Sequence, residues 1–216
     1  AGAHFCAGHN LKEMAARRSD ADGGLGYFRA LFQTCSEVML RITQLPQPVI
    51  AEVSGIATAA GCQLVAACDL AVASNDARFA TSGVNIGLFC STPLVALSRT
   101  VARKHAMEML LTGGFIDAQQ AVGMGLVNRA VPGAELADAT RQLAVDIASK
   151  TPAAIKVGKR LFYDQATLSM EEAYAMAGEV MACNMLLKVF SRSLKFSSHT
   201  RETETKKKLT NFSKLE

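Results

Sequence analysis

The chain has 216 residues, of which 50% are hydrophobic and 19% are charged, with only 5 prolines and a formal net charge of +4. A chain of this length buries roughly 70% of its unfolded surface on folding, which is ample for a core in one large domain or two small ones. This composition, with no low-complexity block, excludes a disordered chain, a collagen or an array of linkers.

The first 130 residues alternate short apolar strands with helices. Residues 49–54 follow two prolines and predict a buried strand, which Gly55 interrupts. Residues 60–68 are apolar nearly all round, which predicts a buried helix. Residues 70–73 predict a second strand, and a loop containing Gly and Ser is expected at 82–93.

Helices become more frequent after this loop. Residues 101–111 predict a helix that ends at two glycines, and Asp117 is a suitable N-cap for a short helix through Val122. Residues 126–128 predict another strand.

Only helices are predicted beyond that strand. Residues 135–150 predict a long amphipathic helix, and Thr151-Pro152 supplies an N-cap and a first-turn proline for the next one. Residues 169–172 form a capping box that opens a helix running toward Leu187. The pattern indicates an α/β protein with a helical C-terminal part.

Positive charge is concentrated at the end of the chain. Residues 188–216 carry 8 basic and 3 acidic residues. A basic tail can bind nucleic acid or an anionic membrane, but no aromatic residues alternate with the basic ones as they do in single-strand binders. We therefore expect a disordered tail at 188–216, after a core at 1–130 and a helical region at 131–187, with no nucleic-acid partner.

The cysteines and the apolar runs exclude several other classes. The six cysteines are scattered without a CxxC pair, which favours a reducing compartment. His4, Cys6 and His9 lack a fourth ligand for zinc, so no metal site is expected. The longest apolar stretch, 56–68, is too short to span a membrane, and any targeting segment is expected to lie outside this chain.

Two glycine-rich turns each lead into a helix start. The first is at 2–14 and contains Gly8 and His9; the second is at 55–64 and contains Ala60 and Gly61. A helix start has unpaired N–H groups and a dipole that favours negative charge. Two such groups aimed at one point would make an oxyanion hole, although composition alone favours two ordinary tight turns.

These two turns and four further segments resemble the crotonase superfamily, the enoyl-CoA hydratase/isomerase family. The resemblance covers about 1–185 in order, and the further segments are Ala77-Arg-Phe79, Met107–Gly113, Asp117–Ala121 and Gly125–Asn128. It implies a crotonase (ClpP-like) spiral of ββα units and a homo-oligomer, a trimer or hexamer, assembled through C-terminal helices. It extends to a mitochondrial member of the family, which implies a mitochondrial location and a role in fatty-acid metabolism.

The resemblance also implies a site for a coenzyme A thioester, with no separate cofactor. The thioester oxygen would be held by the backbone N–H groups of His9 and Ala60. His9, Asn10, Leu11 and Lys12 would follow the CoA moiety, and the helix that begins near Gly61 would aim its dipole at the developing enolate.

The sequence departs from the family pattern at the catalytic acids and at both ends. Gln63 and Gly83 stand where hydratases have two glutamates, and Ser91 stands where dienoyl-CoA isomerases place an aspartate. The resemblance further implies that the first strands of the spiral are missing and that the tail replaces the final helices, as in a truncated or alternative form.

The expected function is therefore acyl-CoA binding with no or weak hydratase activity. Glutamine cannot act as a base near neutral pH, and glycine has no side chain. Two alternatives stay open. One is an active enzyme on a specialised acyl-CoA, namely an isomerase, a hydrolase or a bicarbonate-assisted enzyme. The other is a non-enzymatic scaffold.

Overall fold

A computed structural model describes residues 2–186 of the chain. The described part contains nine α-helices and six β-strands in two compact units, one ending at Ser149 and the other beginning at Lys150. The predicted tail at 188–216 lies outside the described residues.

The first unit combines helices with two small sheets. Its helices are α1 (Leu11–Arg17), α2 (Leu25–Gln44), α3 (Ala60–Ala67), α4 (Ser91–Thr100), α5 (Arg103–Thr112), α6 (Ala118–Met124) and α7 (Leu136–Ala148). Its strands are β1 (Ile50–Val53), β2 (Ile56–Thr58), β3 (Leu70–Ser74), β4 (Arg78–Ala80), β5 (Ile116–Asp117) and β6 (Arg129–Val131). Short 3₁₀ turns cover Ser82–Ile86 and Gly133–Glu135.

Strands that follow one another in the chain, such as β1 and β2 or β3 and β4, belong to different sheets. One sheet has the order β1-β3-β6 and the other the order β2-β4-β5. The β1–β3, β3–β6 and β2–β4 pairs are parallel, and β4–β5 is antiparallel. Because β1 and β2 lead into α3 while β3 and β4 lead into α4, the chain advances by ββα units, which confirms the predicted α/β spiral.

The core lies between these sheets and helices α3 to α6. Val53 and Val72 in one sheet and Phe79 in the other are completely buried, as is Cys62 on α3. Six of the eight residues of α3 are buried, which confirms the predicted buried helix. From Gly61 onward the helix is therefore held by core packing on nearly every side.

Two sequence predictions in this unit were wrong. The strand predicted at 126–128 begins only at Arg129, because Asn128 bonds to Ala71 through both its backbone N–H and its side-chain oxygen before the β6 ladder starts. The loop predicted at 82–93 contains a 3₁₀ turn, and helix α4 begins within it at Ser91.

The second unit, as far as it is described, consists of α8 (Pro152–Gln165) and α9 (Met170–Met185). Pro152 occupies the first turn of α8, and Ser169 and Glu172 form the predicted capping box of α9. Several large apolar side chains of the two helices are exposed, including Phe162, Tyr174 and Met181. The helical character of this region agrees with the sequence prediction.

Candidate functional site

The N-terminal segment is paired with the strand that leads to α3. The N–H of Cys6 donates to the carbonyl of Ile56 at 3.0 Å, and the N–H of Thr58 donates to the carbonyl of Cys6 at 3.0 Å. The first glycine turn therefore lies beside the second one, although the two are about fifty residues apart in sequence.

A strained residue precedes α3. Ala59 has φ 52° and ψ −118°, and it is the only described non-glycine residue with a positive φ. Such a conformation costs on the order of 1–3 kcal/mol and persists only where the surroundings impose it. Here the Ala59 N–H donates to the Ala80 carbonyl, and the Ala59 carbonyl accepts from the Gln63 N–H, both at 3.0 Å. These two bonds fix the orientation of the peptide that carries the Ala60 N–H.

The backbone N–H groups of His9 and Ala60 belong to two adjoining turns. Neither N–H donates a hydrogen bond to another described residue. Gly8 has φ 93°, and a Cβ added to it would lie 3.1 Å from the Ala59 Cβ and 3.5 Å from the Ala60 nitrogen. The structure therefore places the turn before His9 against the start of α3; the convergence of the His9 and Ala60 amides on one oxygen stays a prediction.

Gly61 permits this close approach of the two turns. A Cβ at this position would collide with the Cys6 carbonyl and lie 2.8 Å from the Cys6 Cβ. Any larger residue would displace the segment that carries Gly8 and His9. The glycine is thus required by packing between α3 and the N-terminal segment.

The His9 imidazole packs against α2. Its ring meets the ring of Phe32 edge-on, with centroids 5.7 Å apart. Its Nε2 atom is buried and has no hydrogen-bond partner among the described residues. A buried imidazole nitrogen without a partner is costly, because it has lost water and gained no replacement.

Gln63 stands beside the same face of α2. It is only 4% exposed, and its Oε1 accepts a weak hydrogen bond from Cys35 Sγ at 3.9 Å. Cys35 is three residues after Phe32, so both project from one side of α2. The His9 ring and the Gln63 amide therefore pack against neighbouring turns of the same helix.

Gly83 lies near the turn before α3, but neighbouring atoms occupy the space that a side chain at this position would need. Ser82 Oγ and Thr58 Oγ1 share a hydrogen bond at 2.8 Å, which ties this segment to the residue preceding Ala59. The Gly83 N–H donates to Cys90 Sγ at 3.3 Å. A Cβ at Gly83 would lie 2.8 Å from that sulfur and would collide with the Leu88 carbonyl.

Two of the thiols near the site are held in the neutral form. Burial, and then the neighbouring Cys6, raises the pKa of Cys35. Burial, and then Cys90, raises the pKa of Cys62 to about 12. Neither thiol supplies a thiolate near neutral pH, so neither replaces a catalytic carboxylate.

The other predicted binding residues surround the start of α1. Asn10 caps this helix, since its side-chain oxygen accepts from the N–H groups of Lys12 and Glu13 at 3.1 and 3.4 Å. Leu11 and Lys12 are exposed. Their predicted role in binding a CoA moiety stays a prediction.

The sequence analysis did not predict the contacts of Phe32 and Cys35 on α2. It also did not predict that Cys90 Sγ would occupy the space beside Gly83. The signal for α2 was available: Phe28, Phe32, Cys35 and Met39 recur at the three- and four-residue spacing of a helix face. No local pattern indicated that Cys90 would fold back onto Gly83, because that contact depends on the Gly87 turn.

The described part of the chain contains neither a candidate membrane span nor a candidate metal site. Within residues 2–186, no helix has the length and apolarity needed to cross a membrane. The same residues contain no group of three His, Cys, Asp or Glu side chains arranged to hold a metal ion.

Comparisons with known proteins identify relatives with the same backbone arrangement. A profile of the enoyl-CoA hydratase/isomerase family matches residues 1–207. The chain is 49% identical over 191 residues to enoyl-CoA hydratase domain-containing protein 3 of Xenopus laevis, which is named as mitochondrial. That match covers 88% of this chain and 63% of the relative.

Two solved structures have a similar fold. An enoyl-CoA hydratase from Mycobacterium smegmatis is 56% identical, with a TM-score of 0.82 over 87% of this chain and 71% of that chain. Human enoyl coenzyme A hydratase domain-containing protein 3 is 46% identical, with a TM-score of 0.87 over 93% of this chain and 77% of that chain. The chain spans about 60% of the length of the curated relatives it matches.

Proposed function

Because this chain belongs to the enoyl-CoA hydratase/isomerase family, we propose that it binds an acyl-CoA thioester and has no or weak hydratase activity. The thioester oxygen accepts hydrogen bonds from the backbone N–H groups of His9 and Ala60. These two donors stabilise the negative charge that develops on the oxygen when the α-carbon loses a proton.

The observation that carries this proposal is the pair of unpaired amides at the meeting point of two turns. Most backbone N–H groups in folded proteins have a partner, and here two without one belong to adjoining turns, one of which contains the strained Ala59. A single carbonyl oxygen would satisfy both of them. No other residue type is needed for this step, since the donors belong to the backbone.

The absence of hydration follows from positions 63 and 83. Gln63 offers an amide and accepts from Cys35, while the space beside Gly83 is filled by Leu88 and Cys90. A water molecule at the β-carbon therefore has no carboxylate at either of these positions to deprotonate it. Positioned acid–base groups contribute typically about 10²–10⁴-fold each, so their loss leaves binding and charge stabilisation without efficient water addition.

The wider setting of this function is also a proposal. We place the CoA moiety along His9, Asn10, Leu11 and Lys12, with Ala60 and Gly61 at the thioester. The names of the curated relatives support a mitochondrial location. A role in fatty-acid metabolism is part of the same proposal. The exposed Phe162, Tyr174 and Met181 on α8 and α9 support a homo-oligomer, a trimer or hexamer in a longer form of the chain.

Replacing Ala60 tests the backbone donor directly. Ala60→Pro removes the N–H at the first position of α3, whereas Ala60→Gly retains the N–H. We expect Ala60→Pro to bind acetyl-CoA about tenfold more weakly than Ala60→Gly, in line with the loss of one hydrogen bond. Calorimetric titration of both variants gives the two affinities.

Free CoA is the matched ligand for this test, because it lacks the thioester oxygen. We expect both variants to bind CoA equally, and circular dichroism and thermal unfolding to show that both are folded. Equal affinities of the two variants for acetyl-CoA would contradict the donor role of Ala60. A parallel loss of affinity for CoA and acetyl-CoA would also contradict it.

A further inference from the structure

The two ends of the Gln63 side-chain amide have different surroundings. The residue is only 4% exposed, and its Oε1 accepts from Cys35 Sγ at 3.9 Å, whereas its Nε2 donates to no described residue. Among the described residues, side-chain nitrogens and oxygens that are buried without a partner are confined to His9, Ser74 and Thr81. The Nε2 of Gln63 is therefore still in contact with solvent, although nearly all of the residue is buried.

The Cys35 thiol determines which end of this amide faces α2. Burial raises the pKa of Cys35, so the thiol is protonated near neutral pH and can donate. An amide oxygen accepts this bond, whereas an amide nitrogen would set one donor against another. The oxygen is therefore turned toward α2, and the two N–H donors of Nε2 are left for a partner on the solvent side.

Solvent reaches the first turn of α3 on the side of Ala60. Ala60 and Leu64 are half-buried, whereas Gly61 and Cys62 are buried. Gln63 lies three residues after Ala60 and directly before Leu64, so it shares this side of the helix. Its solvent-contacting nitrogen is thus on the side where the proposed thioester site begins, about one turn, or roughly 5 Å, further along α3.

We propose that the Gln63 amide makes this site select 3-oxoacyl-CoA thioesters, because Nε2 donates a hydrogen bond to the carbonyl oxygen on the β-carbon. This inference rests on the proposed function, in which the thioester oxygen is held at Ala60 and the β-carbon lies beside position 63. The amide then acts as a binding donor at the place where a glutamate would act as a base.

A carbonyl suits this donor better than the other groups common at a β-carbon. A saturated chain offers no acceptor, so it displaces water from Nε2 without replacing the lost hydrogen bond. A hydroxyl can accept, but its own proton then needs an acceptor, and the amide oxygen is turned away toward Cys35. A carbonyl accepts and has no proton to place.

Calorimetric titration of the full chain with three four-carbon thioesters tests this selectivity. The ligands are acetoacetyl-CoA, 3-hydroxybutyryl-CoA and butyryl-CoA, which differ only at the β-carbon. We expect acetoacetyl-CoA to bind about tenfold more tightly than either of the others, in line with one hydrogen bond to a donor that is otherwise left unsatisfied.

Two substitutions separate the donor from the shape of the side chain. Gln63→Met keeps an unbranched chain without a donor, so the preference for acetoacetyl-CoA should disappear. Gln63→Glu sets an acceptor-only carboxylate against the β-carbonyl, so acetoacetyl-CoA should bind more weakly than butyryl-CoA. Gln142→Met is the matched control, because Gln142 is exposed on α7 and its replacement should leave the tenfold preference unchanged.

The outcomes distinguish this inference from the proposed function. Equal affinities of the unmodified chain for acetoacetyl-CoA and butyryl-CoA overturn the role of Gln63 and leave acyl-CoA binding intact. Tighter binding of 3-hydroxybutyryl-CoA than of acetoacetyl-CoA, or a preference that persists in folded Gln63→Met, also overturns it. If thermal unfolding shows that Gln63→Met is not folded, the same preference in Gln63→Glu decides. Failure to bind any of the three thioesters overturns the proposed function itself.

Discussion

Crotonyl-CoA hydration by this chain should be at least about 10⁴-fold slower than hydration by a family member with both glutamates. Each of the two acid–base positions contributes typically about 10²–10⁴-fold, and both are empty of carboxylates here. Gln63 is neutral, and Gly83 has no room for a side chain. The loss of the enoyl absorbance of crotonyl-CoA, with a two-glutamate hydratase assayed in parallel, measures this ratio.

Two variants locate the cause of the slow hydration. Gln63→Glu preserves the shape of the side chain and restores one carboxylate, so it should raise the rate by no more than about 10⁴-fold and leave the fold intact. Gly83→Glu should instead destabilise the protein, because its Cβ meets Cys90 Sγ and the Leu88 carbonyl. Hydration by the unmodified chain at an ordinary enzymatic rate would refute the assignment of positions 63 and 83.

Gly61→Ala should have the largest effect on stability among single-methyl substitutions at the site. The added Cβ collides with the Cys6 carbonyl, which is held by the Thr58 N–H, so the backbone itself must move. We expect a loss of about 3 kcal/mol in the free energy of unfolding, measured by urea denaturation. Acetyl-CoA affinity should fall as well, because the displaced segment carries His9.

Gly123→Ala is the matched control for that substitution. Gly123 lies in α6 with nothing within 4 Å of an added Cβ, so the same methyl group should stabilise the helix by about 0.5–1 kcal/mol. Equal unfolding free energies for the two variants would mean that the close approach of Gly61 to Cys6 is not a constraint in solution.

Sequence patterns predicted the elements whose signals are local. The buried α3 follows from a continuous apolar run, and the caps of α6 and α9 follow from side chains that bond to their own first turns. The start of β6 was misplaced by three residues because Asn128 contacts Ala71, 57 positions away, and no local pattern reveals such a contact.

For the candidate site too, the sequence predicted the residues but not their long-range contacts. The two glycine turns and the missing acids were evident from the residues themselves and from the family resemblance. The filled space at Gly83 was not, because it results from Leu88 and Cys90 folding back through Gly87. The sequence also did not predict that His9 Nε2 would be buried without a hydrogen-bond partner, because the ring packs on Phe32 in a helix that had not been predicted.

Isotope-edited infrared spectroscopy of bound acetyl-CoA tests most directly whether the His9 and Ala60 amides hold a thioester oxygen. The thioester carbonyl is labelled with ¹³C, and its stretching frequency is compared in buffer, in the saturated protein and in saturated Ala60→Pro. Two hydrogen bonds in a water-poor site polarise the C=O bond, so the band should move to lower frequency in the protein and return most of the way in the variant. A band that stays at its position in buffer when the protein is saturated would contradict the oxyanion hole.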